Sequence, residues 1–295
     1  MKATSLSFVI PALNEAAAIA HTVESCFSVA QSMGMENVEV IVVDDGSTDG
    51  TGDIAAAHQA RVVRHPARGG YGRSLKDGIH AATHDTIVIT DADGTYPIEQ
   101  LPKLMAEYEK GFDMVVGART GDHYKQSPLK SGLRTLLRHL VEWASGRPIA
   151  DINSGFRVFS RQTVMHYYPN LCDTFSFTTS MTLAYMINGA FVAYVPTAYF
   201  SRVGKSHVRL FRDSLRTLTY ILLQILYFNP IKIFTALSVG CLLMSLLGFL
   251  ASHFLHLQIG YLVGVIGILT SIIVFSIGLL TEQIRQMTIS LKNRD

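Results

Sequence analysis

The stretch Val88–Pro97, VITDADGTYP, ends an apolar run with two carboxylates, Asp91 and Asp93, on either side of Ala92. The apolar run predicts a buried strand, and Gly94 lets the chain turn directly after it. By itself, Asp-x-Asp is a weak motif, because aspartate is also common in plain turns. The other motifs of the sequence distinguish between a plain turn and a metal site.

The first half of the chain alternates strand-like and helix-like segments, which predicts an α/β fold with a mostly parallel sheet covered on both faces. Five strands are predicted, in LSFVI, VEVIVV, RVVR, DTIVIT and DMVVGA. Ligands of such sheets bind at the carboxyl ends of the strands. Four of the predicted strands are followed there by polar residues, in PALNE, DDGSTDG, DADG and Arg119. We therefore expect one polar site at one edge of the sheet.

The total charge excludes one class of function. With 25 Lys and Arg against 23 Asp and Glu, the chain lacks the concentrated basic character of a nucleic-acid binder. Its three cysteines are far apart in the sequence and have neither metal-ligand spacing nor the pattern of a disulfide framework, which favours a reducing compartment.

The segment from Ile233 to Thr281 contains no Asp, Glu, Lys or Arg. Because a membrane helix needs about 20 apolar residues, this length predicts two crossings with a turn near ASHFLHLQIG. The alternative is a buried helical hairpin of a soluble protein. Lys232 precedes the hairpin, Arg285 and Lys292 follow it, and its turn has no Lys or Arg. The positive-inside rule then predicts an integral membrane protein with both termini and the catalytic domain in the cytoplasm.

Two basic amphipathic helices are predicted, at about 130–146 and at 209–230. Basic amphipathic helices are typical of membrane surfaces, although the first could also simply pack on its own domain. The predicted organisation is a domain at 1–208, an interfacial helix at 209–230, two transmembrane helices at 231–282 and a cytoplasmic tail at 283–295.

The carboxylates suit a metal-dependent reaction. Mg²⁺ and Mn²⁺ bind one or two carboxylates together with substrate phosphates, which fits Asp91 and Asp93. Asp44 and Asp45, at a neighbouring strand end, could accept hydrogen bonds from a base or ribose. Ser47, Thr48 and Asp49 are predicted to cap the next helix. These last three residues are interpreted as structural.

The segment ARGGYGRSLKDG looks at first like a glycine loop that cradles phosphate. It lacks the Gly-Lys-Ser/Thr ending of a P-loop, and it does not follow the first strand, as a dinucleotide fingerprint should. Its glycines are therefore predicted to shape a loop. Arg68 is a candidate contact for a diphosphate.

Taken together, PALNE, DDGSTDG, DADG, GAR and DINSGFRVF resemble glycosyltransferase family 2 with the GT-A fold. More narrowly, the chain is similar to the polyprenyl-phosphate glycosyltransferases, a group that includes dolichyl-phosphate mannose synthase and bactoprenol glucosyltransferases. The resemblance covers the chain to about Lys205. It implies a metal-dependent, inverting transfer of a hexose-type sugar from a nucleotide sugar to a polyprenyl phosphate at the cytoplasmic leaflet. Because of the two-helix anchor, a UDP-hexose is favoured over GDP-mannose.

The resemblance also implies a donor site. Asp45 would read the base, and Asp91 and Asp93 would hold Mg²⁺ or Mn²⁺, with Asp93 the more direct ligand. A Gln that can help hold the metal in mannose synthases is replaced here by Thr95. The implied donor-site residues are Pro11, Leu13, Glu15, Asp44, Asp45, Asp91, Ala92, Asp93, Arg202 and Lys205.

On the acceptor side, the resemblance implies that Arg119, Lys130 and Arg134 hold the lipid phosphate. The segment DINSGFRVF would shape the acceptor side. In the purely structural interpretation, Asp151 and Arg157 of this segment form an ion pair with each other.

The acceptor itself is suggested by a departure from the wider family. Members that glycosylate hydroxyl groups need a carboxylate base, because a hydroxyl has a pKa far above working pH. Thr178, Thr179 and Ser180 stand where that acid is expected. A phosphate acceptor is already anionic and needs only positioning.

Two other functions stay open from the sequence. One is a glycosyltransferase acting on a lipid hydroxyl, with Asp173 as the nearest base candidate. The other is a non-catalytic membrane subunit that binds nucleotide sugar. The resemblance favours a homo-oligomer, and Gly260 and Gly264 have the spacing that lets membrane helices approach closely. Packing of the hairpin against itself is the more common use of that spacing.

Overall fold

The computed structural model describes residues 4–120, 128–174, 176–200 and 210–292. The chain forms two compact units, Met1–Ile221 and Leu222–Asp295. The first is an α/β unit, and the second is helical.

Seven strands of the described residues form one sheet. They are β1 (Ser5–Ala12), β2 (Asn37–Asp44), β3 (Arg61–Arg64), β4 (Thr86–Ile89), β5 (Met114–Thr120), β6 (Arg157–Ser160) and β7 (Val192–Ala198). Their order across the sheet is β3-β2-β1-β4-β6-β5-β7. Only β6 runs antiparallel to its neighbours, so the predicted mostly parallel sheet is confirmed. All five predicted strands are present, whereas β6 and β7 were not predicted.

Ten α-helices lie in the described residues. They are α1 (Ile19–Ser32), α2 (Thr51–Ala57), α3 (Tyr71–Ala81), α4 (Leu101–Tyr108), α5 (Pro128–Ser145), α6 (Arg161–Tyr167), α7 (Phe177–Ile187), α8 (Leu210–Phe228), α9 (Pro230–Leu255) and α10 (Gln258–Lys292). The 3₁₀ turn Ile98–Gln100 precedes α4, and the 3₁₀ turn Tyr168–Asn170 follows α6.

Helices cover both faces of the sheet, as the apolar runs predict. On one face, Phe8 and Ile10 of β1 belong to a buried cluster that also contains Val23 of α1 and Leu104 of α4. On the other face, α3 lies so close to β1 and β2 that a Cβ added at Gly78 would be 2.4 Å from Cγ1 of Val9. Because these strands are buried on both faces, their sequences are continuous apolar runs rather than alternations of apolar and polar residues.

The second unit contains the predicted hairpin. Two helical segments, Pro230–Leu255 and Gln258–Thr288, are long and apolar enough to cross a membrane. Their large apolar side chains are mostly exposed, unlike those of a hairpin buried inside a soluble protein. The turn between them falls inside the predicted segment, and the membrane orientation of the termini stays a prediction.

Small residues bring α9 and α10 together. A Cβ at Gly248 would lie 2.8 Å from the carbonyl oxygen of Gly260 and 2.9 Å from the amide nitrogen of Gly264. The hydroxyl of Ser245 donates to the carbonyl oxygen of Gly264 at 2.5 Å. Gly260 and Gly264 thus pack the hairpin against itself, which confirms that interpretation of their spacing.

Other predicted segments have mixed outcomes. The amphipathic helix at about 130–146 is present as α5, where Val141 and Ala144 are buried and Trp143 of the predicted apolar face is 40% exposed. The boundary between the two units lies within α8, and α10 continues to Lys292, inside the predicted tail. The predicted domain limits and the membrane-surface role of these helices stay predictions.

Replacement of Gly78 by alanine tests the packing of α3. The added methyl group would press on Val9 and also on Val43, 3.0 Å away, so we expect Gly78→Ala to destabilise the protein. Overpacking of this kind costs about 1–3 kcal/mol. The measurement is the thermal unfolding midpoint in detergent. His80→Ala, on the exposed face of the same helix, is the control and should leave the midpoint unchanged.

Candidate active site

Polar residues from neighbouring parallel strands meet at one edge of the sheet, as predicted. Ala12, at the end of β1, lies opposite Asp44, at the end of β2. The amide of Asp45 donates to the carbonyl oxygen of Ala12 at 2.9 Å, and the amide of Thr90 donates to that of Val9 at 3.3 Å. The motifs PALNE, DDGSTDG and DADG therefore leave the sheet side by side.

The loops after β1 and β2 hold each other in place. The amide of Asn14 donates to Ser47 Oγ at 3.0 Å, and the amide of Thr48 donates back to Asn14 Oδ1 at 2.9 Å. The amide of Glu15 donates to Thr51 Oγ1 at 2.9 Å. Asn14 has a φ of 56°, which its local hydrogen bonds make acceptable. PALNE thus contributes a fixed loop to the edge: Glu15 is buried, and Pro11 and Leu13 are half-buried.

Ser47, Thr48 and Asp49 are structural, but not in the predicted way. The N-cap of α2 is Gly50, with a φ of 85°, and it makes no side-chain cap. Instead, Asp49 accepts hydrogen bonds from the amide of Thr51 at 3.0 Å and from the amide of Ala16 at 3.0 Å. These residues hold the PALNE loop against the start of α2, and Asp49 satisfies the amide of the first helical residue from one position before the N-cap.

The Asp45 carboxylate is an anchor for the glycine loop. It accepts hydrogen bonds from the amides of Gly69 at 2.7 Å and Gly70 at 2.8 Å, and a ring nitrogen of His65 lies 2.7 Å from its Oδ1. Asp44 accepts from the amide of Ser47 at 2.9 Å. Asp44 and Asp45 are both buried. Gly69 and Gly70 therefore shape a loop, as predicted, whereas Gly72 lies in α3.

Arg68 directly precedes Gly69 and Gly70 in the glycine loop. The Arg68 side chain is exposed, and its amide lies close to the turn after β2: a Cβ at Gly46 would be 3.1 Å from it. Contact of Arg68 with a diphosphate stays a prediction.

Asp91, Ala92 and Asp93 follow β4. The carbonyl oxygen of Ala92 accepts a hydrogen bond from the hydroxyl of Thr22 on α1 at 3.2 Å. Asp93 is buried and accepts from the hydroxyl of Thr95 at 2.7 Å and from its amide at 3.2 Å. Thr95 thus orients the carboxylate of Asp93.

Two further residues lie close to Asp91: Tyr71, which was not predicted, and Gly155, which was predicted only as part of DINSGFRVF. The phenol of Tyr71 donates to Asp91 Oδ1 at 3.0 Å. A Cβ on Gly155 would lie 2.9 Å from the same oxygen and 3.0 Å from Asp91 Oδ2. Burial, followed by the negative charge of Asp91, raises the pKa of Tyr71 well above 10.0, so the phenol stays protonated and can donate.

Arg119 pairs with Asp151 in a two-point ion pair. Its Nε and Nη2 atoms lie 2.7 Å and 2.9 Å from the two carboxylate oxygens, and its guanidinium lies over the ring of Tyr199 at 5.4 Å. The expected pair between Asp151 and Arg157 is therefore wrong. Arg157 is fully buried and donates instead to the carbonyl oxygens of Ser154 and Ile152 and to the hydroxyl of Thr182.

Four predicted site residues cannot be assigned contacts. Lys130 and Arg134 belong to α5, but their side chains lie outside what the structure describes, and Arg202 and Lys205 lie outside the described residues altogether. Their roles, and the role of Arg119 at a lipid phosphate, stay predictions.

The region of the missing base is buried and neutral. Thr178, Thr179 and Ser180 lie in the first turn of α7, and the hydroxyl of Thr179 donates to Asn153 Oδ1 at 2.7 Å. Asp173, the nearest base candidate, pairs with Nζ of Lys76 at 2.6 Å.

A divalent cation at this edge of the sheet would need oxygen ligands from a bound substrate in addition to the carboxylates of the protein. Among the described residues, no group of three His, Cys, Asp or Glu side chains could hold a metal ion. Mg²⁺ and Mn²⁺ are commonly held by one or two carboxylates plus substrate phosphates, and Asp91 and Asp93 provide such a pair of hard oxygen donors.

Known proteins resemble this chain in sequence. The glycosyl transferase family 2 model matches residues 7–168, more than half of the chain. The low-salt glycan biosynthesis hexosyltransferase of Haloferax volcanii is 30% identical over 256 residues, which are 84% of this chain and 59% of that protein. The dolichyl-phosphate hexose transferase of the same organism is 30% identical over 169 residues, or 57% of this chain and 72% of that protein. The undecaprenyl-phosphate 4-deoxy-4-formamido-L-arabinose transferase of Shewanella sediminis is 31% identical over 165 residues, which are 54% of this chain and 49% of that protein.

The matched segments span 59% and 50% of the first two relatives, so the chain covers only part of those proteins. Among solved structures, glucosyl-3-phosphoglycerate synthase of Mycobacterium tuberculosis, crystallised with Mn²⁺, UDP and glucosyl-3-phosphoglycerate, superposes with a TM-score of 0.61. It shares 23% identity, with coverage of 75% of this chain and 80% of that one. The predicted GT-A-like fold is thereby confirmed.

The buried ion pair between Arg119 and Asp151 should stabilise the fold in a pH-dependent way. Burial opposes ionisation of Asp151, but the hydrogen bonds and charge of Arg119 outweigh it, and the pKa of Asp151 lies below its usual 3.8. A carboxyl group whose pKa is lower in the folded state contributes stability that is fully present above its unfolded-state pKa. That stability is lost as the pH falls through its folded-state pKa. We expect Asp151→Asn to cost about 3 kcal/mol at pH 7, because it removes the negative charge that faces the guanidinium of Arg119.

The measurement is the thermal midpoint of both proteins in detergent between pH 7 and pH 3. The difference between them should shrink as the pH falls below about 4, the ordinary range of an aspartate. A constant difference across this range would contradict the assignment of the stabilisation to the ionised pair.

Proposed function

Because this chain belongs to glycosyl transferase family 2, we propose that it transfers one hexose-type sugar from a nucleotide sugar to a polyprenyl phosphate. The observation that carries the proposal is the sheet edge, where Asp91 and Asp93 lie beside the loops of Asp44 and Asp45. Relatives named as a dolichyl-phosphate hexose transferase and an undecaprenyl-phosphate sugar transferase support the acceptor class.

Donor binding is proposed at the carboxyl ends of β1, β2 and β4. Asp91 and Asp93 would hold Mg²⁺ or Mn²⁺ against the diphosphate, and the bound metal would neutralise charge on the departing nucleoside diphosphate. Pro11, Leu13, Glu15 and Arg68, with Arg202 and Lys205, are proposed as further donor contacts. We favour a UDP-hexose over GDP-mannose, because the two-helix anchor resembles that of the bacterial glucosyltransferases.

The proposed reaction is a single displacement. An oxygen of the lipid phosphate attacks the anomeric carbon, the bond from that carbon to the diphosphate oxygen breaks, and the nucleoside diphosphate leaves with the electron pair. Attack from the face opposite the leaving group inverts the configuration. Since the acceptor is already an anion, the step needs positioning rather than a base, which fits the neutral first turn of α7 and the ion-paired Asp173.

Membrane attachment completes the proposal. The apolar pair α9 and α10 would hold the enzyme at the membrane that contains its lipid substrate, with Arg119, Lys130 and Arg134 proposed at the lipid phosphate. Lys232 lies at the start of α9, and Arg285 and Lys292 lie near the end of α10. On the positive-inside rule, we propose that both termini and the active site are on the cytoplasmic side.

The test uses the purified protein with undecaprenyl phosphate and Mn²⁺ or Mg²⁺. Labelled UDP-glucose, UDP-N-acetylglucosamine and GDP-mannose are supplied separately, and label is followed into the organic phase. We expect a metal-dependent, acid-labile lipid product from one donor. Donor binding without lipid product, across all three, would contradict the proposal and favour a hydroxyl acceptor or a non-catalytic subunit.

The metal assignment is tested in the same assay. Asp93→Asn should lower the transfer rate by about 100-fold or more, since even the hydrogen-bond partners of metal ligands are worth about 10- to 100-fold. The control is Asp53→Asn, which changes an exposed aspartate of α2 that pairs with Arg64. Full activity of Asp93→Asn would exclude Asp93 as a metal ligand.

A further inference from the structure

The carboxylate of Asp91 is contacted by two residues outside its own motif. The phenol of Tyr71 donates to Oδ1 at 3.0 Å; an ionised carboxylate can only accept. Next to this hydrogen bond, the backbone of Gly155 leaves no room for a side chain, since a Cβ there would lie 2.9 Å from Oδ1 and 2.9 Å from Tyr71 Oη. Tyr71, Asp91 and Gly155 therefore form one close-packed group.

The backbone that carries Tyr71 is fixed before and after it. Gly69 and Gly70 donate their amides to Asp45, and Gly70 adopts a φ of 107° that favours glycine. After Tyr71, a Cβ at Gly72 would lie 2.3 Å from the carbonyl oxygen of Cys172, and the amide of Arg73 donates to the carbonyl oxygen of Asp173 at 2.9 Å. The phenol is thus held at Asp91 by the fold and not only by its own hydrogen bond.

Gly155 is held in the same way. Its amide donates to the phenolic oxygen of Tyr96 at 2.8 Å, and the ring of Tyr96 packs edge-on against Tyr199 at 5.4 Å between centroids. Both neighbours of Asp91 are therefore held by contacts of their own. A hydrogen bond of fixed direction to Oδ1 limits which carboxylate lone pairs can face a cation.

We propose that Tyr71 is a positioning residue for the metal-holding carboxylate of Asp91, carried by the glycine loop that Asp45 anchors. The inference rests on the proposed function, because it requires a cation at Asp91. It also links two parts of the donor site: Asp45, on the side proposed for the base, holds the loop whose next residue orients the carboxylate proposed for the diphosphate metal. Hydrogen-bond partners of metal ligands typically change metal affinity by about 10- to 100-fold.

The test compares wild type with Tyr71→Phe, which removes the hydroxyl and keeps the ring. Tyr168→Phe is the matched control, because it removes the hydroxyl of a tyrosine whose ring lies against Nζ of Lys76 at 5.3 Å. Binding of Mn²⁺ in the presence of UDP is measured by the electron paramagnetic resonance signal of free Mn²⁺. Thermal midpoints verify that all three proteins are folded at the temperature of the titration.

We expect Tyr71→Phe to weaken Mn²⁺ binding by about tenfold while Tyr168→Phe leaves it unchanged. In the transfer assay, Tyr71→Phe should lower kcat and leave the KM for the lipid acceptor unchanged. Unchanged Mn²⁺ affinity in a folded Tyr71→Phe would overturn the inference and leave the proposed function intact. If wild type itself binds no Mn²⁺ with UDP present, the proposed metal-dependent function fails, and the inference fails with it.

Discussion

The parallel pairing of β1 with β2 and with β4 is the constraint on which the rest of the site depends. Its register sets Ala12 opposite Asp44 and Val9 opposite Ile89. Because the three strands run in one direction, their exit loops must leave at the same edge of the sheet. The apolar runs bury these strands on both faces, so the same sheet that burial stabilises also gathers the acidic loops.

Carboxylates at this edge are buried without losing their hydrogen bonds. Burial of a charge is costly unless the charge is paired or hydrogen-bonded. Asp45 meets that requirement with the amides of Gly69 and Gly70, and Asp93 with the amide and hydroxyl of Thr95. Neutral donors fix a carboxylate without cancelling its charge, which suits a group that binds a cation. The pair of Asp151 and Arg119 is different, because there the guanidinium neutralises the carboxylate.

The sequence predicted what periodicity and chain direction determine, and it failed where distant segments meet. The apolar runs identified five strands and the polar edge. β6 was missed because most of it lies inside DINSGFRVF, which was interpreted as a segment of the acceptor side, and β7 because Pro196 interrupts its pattern. Sequence proximity favoured a pair of Asp151 with Arg157, whereas its partner Arg119 lies 32 residues away. The contact of Tyr71 with Asp91 spans 20 residues between a helix start and a strand end, and no local pattern indicates it.

The central claim is that the edge formed by β1, β2 and β4 holds a divalent cation together with the diphosphate of the donor. The most direct measurement is a crystal structure of the protein with UDP and Mn²⁺, using anomalous scattering to locate the manganese. We expect the anomalous peak within coordination distance of Asp93 and of the UDP phosphates. A structure with UDP at this edge and manganese away from both Asp91 and Asp93, or with UDP bound elsewhere, would contradict the account.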